Sequence, residues 1–166
     1  EILSGLVGSE MCIRDRAYSA HPSTAQGRNV LAPALIIASS AIVLLLGTLH
    51  LIYTFATDKF QPRDPDLAER MRQVSPMITR QTSLWRAWVG FNASHSLGAM
   101  LFGLVYGHLA WLHPALLLEA RGLLLIGLGF LASLWVLAIR YWFRIPLAGI
   151  SLALVLFSAG TLLLFS

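Results

Sequence analysis

Residues 29–57, with the sequence NVLAPALIIASSAIVLLLGTLHLIYTFAT, contain no charged side chain. A helix needs about 20 apolar residues to cross the hydrocarbon core of a bilayer, so this stretch can hold one membrane span but not two. Three more charge-free stretches follow, at residues 87–118, 122–139 and 145–166. Helices of this length satisfy their own peptide groups in lipid. The sequence therefore predicts an all-α integral membrane four-helix bundle, with spans near residues 31–55, 87–110, 116–139 and 146–165.

The composition favours the same class of protein. Of the 166 residues, 57% are hydrophobic and only 12% are charged, which is too few charged groups to cover a soluble globule of this size. The net charge of +4 comes from basic residues in short segments between apolar stretches, with no basic face or nucleic-acid-binding motif. We therefore expect the lipid bilayer, not a nucleic acid, as the partner. The single cysteine, Cys12, excludes an internal disulfide and a cysteine-based metal site.

The first residues differ from the rest of the chain. Residues 6–16, LVGSEMCIRDR, resemble a peptide that arises when sequencing-adapter DNA is translated into a predicted gene. We expect residues 1–28 to form a disordered or artefactual tail, and residues 29–166 to form one transmembrane domain.

The basic residues predict the orientation in the membrane. Eight of them lie in the loops after the first and third spans: Lys59, Arg63, Arg70, Arg72, Arg80, Arg86, Arg140 and Arg144. The opposite side has Arg28 and Arg121, plus Arg14 and Arg16 in the segment at residues 6–16. The positive-inside rule then makes the first and third loops cytoplasmic and leaves both termini outside.

The first loop contains the pattern of a short helix. Asp64 is a typical N-cap residue, and Pro65 suits the first helical position. Apolar side chains then recur on one face, at Leu67, Met71 and Val74. We expect an amphipathic helix lying on the cytoplasmic surface of the membrane.

The second predicted span has one polar face. At about 100° per residue, its polar and small residues fall on one side of the helix. They include Asn92, His95, Ser96, Ala99, Gly103 and Gly107. The last three are spaced by four, an arrangement that lets two helix backbones approach closely. We expect Ala99, Gly103 and Gly107 to be helix-packing positions.

The first predicted span offers a matching polar face at His50, Tyr53 and Thr54. His50 and His95 lie at similar depth in the cytoplasmic half of the membrane. We therefore expect His50, Tyr53, Thr54, Asn92, His95 and Ser96 to be candidates for one polar cluster. Polar groups inside a membrane are costly, so the cluster either forms a structural network or binds a small lipophilic ligand or a protein partner.

Two other functions stay open. His50 and His95 could be the axial ligands of haem in a redox protein, the only reading that implies a metal or cofactor. A small transporter or proton-conducting subunit has less support, because no span has a central proline or carboxylate. We identify no catalytic residues and favour a non-enzymatic protein, with a membrane-protein partner or a second copy as its partner.

Residues 49–55, LHLIYTF, and residues 85–98, WRAWVGFNASHSLG, carry a family resemblance. They resemble segments of an uncharacterised family of small bacterial four-span membrane proteins. The resemblance covers about residues 30–166 and implies a location in the bacterial cytoplasmic membrane. It implies no activity.

Overall fold

The computed structural model describes residues 23–165 of the chain, with side chains from residue 30 onward. Helix α1 (Ser23–Ala56) is followed by a short 3-10 turn (Asp58–Phe60). Five further helices complete this part of the chain: α2 (Pro65–Gln73), α3 (Leu84–Leu112), α4 (Pro114–Glu119), α5 (Arg121–Tyr141) and α6 (Arg144–Phe165). Between residues 23 and 165 there is no strand, which confirms the all-α prediction. Cys12 and the segment at residues 6–16 lie outside the described residues.

Three helical segments are long and apolar enough to cross a membrane, which supports a membrane protein. They are Val30–Ala56, Arg121–Tyr141 and Arg144–Phe165, with mean hydropathies of 2.5, 2.4 and 2.2. This number differs from the four predicted spans, because helix α3 is not among the three. Helix α3 is long enough at 29 residues, but polar side chains such as Asn92 and His95 lower its mean hydropathy.

Several boundaries differ from the predicted ones. Helix α1 begins at Ser23, inside the segment predicted to be a tail. The third predicted span, placed at 116–139, is divided. The short helix α4 ends at Glu119, the backbone of the next residue, Ala120 (φ −94°, ψ 64°), is not helical, and α5 begins at Arg121. Helix α6 begins at Arg144, slightly before the predicted start.

Helix α2 forms where the sequence predicts it. The Asp64 carboxylate accepts a hydrogen bond from the backbone N–H of Asp66 at 3.0 Å, and Pro65 occupies the first turn. The helix ends at Gln73, with Val74 as its C-cap, and it packs against α3. A capping carboxylate satisfies a backbone donor that has no partner within the helix, which explains why the helix begins here.

Helix α1 lies between α3 and α6 and contacts both along its length. On the α6 side, the Ser39 hydroxyl donates to the Ala153 carbonyl at 2.7 Å. A Cβ atom added to Gly160 would lie 2.9 Å from the Ala32 carbonyl oxygen, so the two backbones nearly touch. Small residues therefore set the distance between these antiparallel helices.

The predicted packing positions of α3 face α1. Ala99 and Gly103 are buried, and a Cβ atom added to Gly103 would lie 2.7 Å from the Ser40 carbonyl oxygen. Gly107 lies next along the helix, where an added Cβ would meet the Ser40 Cβ at 3.5 Å. Backbone contact between α1 and α3 therefore depends on the absence of a side chain at Gly103.

Large aromatic side chains connect α3 to α5 and α6. The Phe102 ring stacks on Phe130 at 5.1 Å, and the Tyr106 ring meets Phe157 edge to face at 5.1 Å. The Tyr106 hydroxyl also donates to the carbonyl of Leu123, in the first turn of α5. We call Phe102, Tyr106, Phe130 and Phe157 the aromatic core. It fills the space between these helices with apolar rings.

Candidate functional site

His50, Asn92 and His95 meet where the last turns of α1 pack against the first turns of α3. The His50 Nε2 atom lies 3.0 Å from Asn92 Oδ1, and the centroids of the two imidazole rings are 5.4 Å apart. Both histidines are half-buried, whereas Asn92 is only 6% exposed. The two helices run antiparallel, so residues near the end of α1 lie at the same level as residues near the beginning of α3. These three side chains form the candidate site.

The Asn92 amide favours one tautomer of neutral His50. The Asn92 Nδ2 group donates to the Trp88 carbonyl at 2.8 Å, which leaves Oδ1 to face His50 as an acceptor. An amide oxygen can only accept, so His50 Nε2 must carry the proton and donate it. In the neutral imidazole, Nδ1 of His50 then keeps its lone pair. The Trp88 carbonyl, the Asn92 amide and the His50 imidazole therefore form a chain of hydrogen bonds with defined donors and acceptors.

A series of four aromatic rings passes through the site. Phe60 of the 3-10 turn packs on His50 with centroids 4.5 Å apart. His50 meets His95 edge to face, and His95 meets Trp142 edge to face at 5.2 Å. We call Phe60, His50, His95 and Trp142 the ring series. It links the loop after α1 to the connection between α5 and α6.

Three predicted members of the cluster make their contacts outside it, although Thr54 also lines a cleft beside the site. The Thr54 hydroxyl donates to the His50 carbonyl, and the Ser96 hydroxyl donates to the Asn92 carbonyl, each at 2.8 Å. The Tyr53 ring lies under the Lys59 ammonium, 4.0 Å from the centroid, instead of orienting an imidazole. Hydroxyls on a helix commonly bond to the carbonyl four residues earlier, and this local bond competes with contacts between helices.

A cleft of about 410 Å³ opens beside the site. It lies between the end of α1, the 3-10 turn and the first turns of α3. Asn92 lines this cleft while its amide oxygen holds His50. Other lining residues include Thr57, Asp58, Phe60, Trp85 and Trp88. The Trp88 indole N–H donates to the Phe60 carbonyl at 3.2 Å, which ties the 3-10 turn to α3. The cleft thus has both apolar and polar walls.

Phe60, Trp88 and Trp142 contact the candidate site or line its cleft, and these roles were not predicted from the sequence. Trp88 and Trp142 stand at predicted span ends, where an indole ordinarily lies at the headgroup level. The only available signal was that the loops containing Phe60 and Trp142 are predicted on the same side of the membrane. That signal does not single out a residue, because many side chains share that side.

The site does not fit haem. Axial imidazoles bind iron from opposite faces of the porphyrin, so the two rings must flank a slot. Here the rings of His50 and His95 are in contact, and the proton on His50 Nε2 is bonded to Asn92. One turn away, a Cβ atom added to Gly47 would lie 3.0 Å from the Ser96 carbonyl oxygen, so the helices leave no slot. Within residues 23–165, no three His, Cys, Asp or Glu side chains are grouped to hold a metal ion.

In comparisons with known proteins, no family model matches this chain, and no curated protein or solved structure matches it either.

Proposed function

We propose that this chain is a four-span membrane protein that binds a small amphipathic ligand in the cleft beside His50, Asn92 and His95. The proposal has two parts, the passage of α3 through the membrane and the binding of the ligand. Each part has its own support and its own test.

The passage of α3 through the membrane is supported by which of its residues face outward. Its outer face contains Leu97, Leu101 and Leu104, which are 56%, 62% and 55% exposed. Its polar side chains Asn92 and Ser96 are buried against the rest of the protein. Mean hydropathy averages over both faces, whereas lipid contacts only the outer one. Helix α3 thus presents an apolar surface to lipid, and with α1, α5 and α6 it completes a four-helix bundle.

The orientation follows from the basic residues. The loops after α1 and α5 contain most of them, so we place both loops in the cytoplasm and both termini outside. From the resemblance stated above we further propose that this membrane is a bacterial cytoplasmic membrane. The candidate site and its cleft then lie at the cytoplasmic end of the bundle, where α2 lies on the membrane surface.

Ligand binding rests chiefly on the position of Asn92. This buried amide holds His50 inside the protein and also lines the cleft. A polar network inside a membrane costs insertion free energy, and packing alone does not require it. At about 410 Å³, the cleft is large enough for a small molecule. An amphipathic ligand would place its apolar part against the tryptophans and its polar part near Asn92.

Blocking the cleft tests ligand binding. Val89 lines the cleft, so Val89→Trp should fill part of it. Val105→Trp is the matched control, because Val105 is exposed at 39% and lies outside the cleft. Each protein would be purified in detergent, checked for equal thermal stability, and extracted for mass spectrometry of retained small molecules. We expect one species in the wild type and the control that Val89→Trp lacks. Identical extracts from all three proteins would contradict the proposal.

The alternative functions have less support in the structure. The haem hypothesis fails the fit described above. A proton-conducting path would need polar groups across the whole span, but the aromatic core lies between α3, α5 and α6 beyond the site. We therefore place ligand binding at the end of the bundle where α1 ends and α3 begins, because the polar groups and the cleft lie there.

A further inference from the structure

Asp58 is the one charged residue among the residues that line the cleft. It begins the 3-10 turn, and one of its carboxylate oxygens accepts from the Gln61 side-chain amide at 2.5 Å. The neighbouring Lys59 does not neutralise it, since the Lys59 ammonium lies over the Tyr53 ring. The ion pair found among the described residues is elsewhere, between Arg72 and Glu69 at 3.7 Å. Asp58 thus brings a negative charge to the cleft without a cationic side chain at ion-pair distance in residues 30–165.

Aromatic rings line the same cleft as this exposed carboxylate. Phe55, Phe60, Trp85 and Trp88 all line the cleft. Trp85 already attracts one cation, because the Arg72 guanidinium lies 5.5 Å from its ring centroid. A carboxylate among aromatic rings is the arrangement that binds alkylated ammonium groups, since the ring quadrupoles and the charge both attract a cation that water solvates weakly. An anionic ligand would meet the Asp58 charge with no compensating base lining the cleft.

We infer that the ligand of the cleft carries an alkylammonium group, held by Asp58 and the aromatic lining. The inference rests on the proposed function, because it names the chemistry of the ligand in the same cleft. The ammonium group belongs either to a small dissolved cation or to the headgroup of a phospholipid, since the cleft lies at the predicted membrane surface. Asn92, on the inner side, offers a hydrogen-bonding group to the rest of the ligand.

Tetramethylammonium is a suitable probe, with tert-butanol as its uncharged counterpart. The full chain would be placed in nanodiscs of phosphatidylglycerol, which has no ammonium group. Tryptophan fluorescence would be followed during titration with each compound, with sodium chloride added to keep the ionic strength constant. We expect a saturable change with tetramethylammonium and none with tert-butanol, because only the cation interacts with Asp58 and the ring quadrupoles.

Two carboxylate variants locate the effect. Asp58→Asn keeps an oxygen for Gln61 but removes the charge, and it should raise the half-saturating concentration about tenfold or more. Asp66→Asn is the matched control, since Asp66 is exposed on α2 outside the cleft, and it should leave the titration unchanged. An equal response to tert-butanol, an unchanged titration in Asp58→Asn, or no response to the cation would each overturn the inference. None of these results would affect the Val89→Trp comparison, which tests the proposed function separately.

Changing the lipid of the nanodiscs distinguishes the two sources of the ammonium group. Nanodiscs containing phosphatidylethanolamine present an ammonium headgroup at the same surface. If the headgroup is the ligand, these nanodiscs should raise the half-saturating concentration of tetramethylammonium in the wild type but not further in Asp58→Asn. If the ligand is a dissolved cation, the two lipids should give the same titration curve, and the inference stands with that source.

Discussion

At the scale of single residues, Asn92 has the most specific role in the structure. Its amide donates to Trp88 and accepts from His50, which requires the proton of neutral His50 on Nε2. Nitrogen NMR of histidine-labelled protein in detergent should therefore show the Nε2–H tautomer for His50. In Asn92→Ala this preference should weaken, because the acceptor is gone. An Nδ1–H tautomer in the wild type would contradict the hydrogen-bond direction described above.

The same residue should contribute to stability. Asn92→Ala leaves a half-buried imidazole N–H without its acceptor, at a cost of about 1–3 kcal/mol in the free energy of unfolding. Ser94→Ala is a useful control, because the exposed Ser94 hydroxyl bonds only to the Phe91 carbonyl of its own helix. Thermal unfolding in the same detergent should place Asn92→Ala clearly below both the wild type and the control. Equal stability of the two variants would show that the His50 contact contributes nothing.

At the scale of helices, the contact between α1 and α3 depends on glycine. Gly103→Leu would place its Cβ within 2.7 Å of both the Ser40 carbonyl oxygen and the Leu44 Cβ. The helices must then separate, at a cost of about 1–3 kcal/mol typical of overpacking. Gly98→Leu, on the same helix, has nothing within 4 Å of the added Cβ and should leave the thermal stability unchanged or slightly raised. A similar loss of stability in both variants would mean that the close approach of α1 at Gly103 does not decide the result.

At the scale of the whole molecule, the number of spans can be measured with three single-cysteine variants. Cys12 would first be replaced by Ser. Single cysteines would then be introduced as Arg72→Cys in the loop after α1, His113→Cys in the turn after α3 and Phe143→Cys in the turn after α5. If α3 crosses the membrane, a membrane-impermeant maleimide should label His113→Cys from the outside. It should label the other two only in inside-out vesicles. With three spans and no crossing by α3, His113→Cys and Arg72→Cys would be labelled from the same side.

Much of the fold could be predicted because it depends on local properties of the chain. A charge-free stretch of sufficient length predicts a helix wherever it lies, since each N–H bonds to a carbonyl four residues earlier. The Asp64 and Pro65 pair likewise predicts the start of α2, because capping involves only neighbouring residues. The helical break at Ala120 was missed because alanine favours the helix interior and the nearby Gly122 lies inside the next helix.

The proximity of His50 and His95 could be inferred from their equal depth, because antiparallel helices bring residues of equal depth to the same level. Which side chains then touch them depends on how each helix is rotated about its axis. Helix α1 is apolar over most of its surface, and its few polar residues do not by themselves determine that rotation. Packing against Gly103 on one side and Gly160 on the other determines it. This is why Tyr53 was expected in the cluster and lies instead under Lys59.

The sequence by itself thus determined most of the helical segments and the Asp64 cap of α2, since each depends on hydrogen bonds and apolar length within one segment. Only the tertiary structure decided the ring series, the direction of the Asn92 hydrogen bond and the cleft. These features join Phe60, Trp88 and Trp142, which come from different segments of the chain. Their contacts arise when side chains of distant segments pack together, and no periodicity within one helix encodes that arrangement.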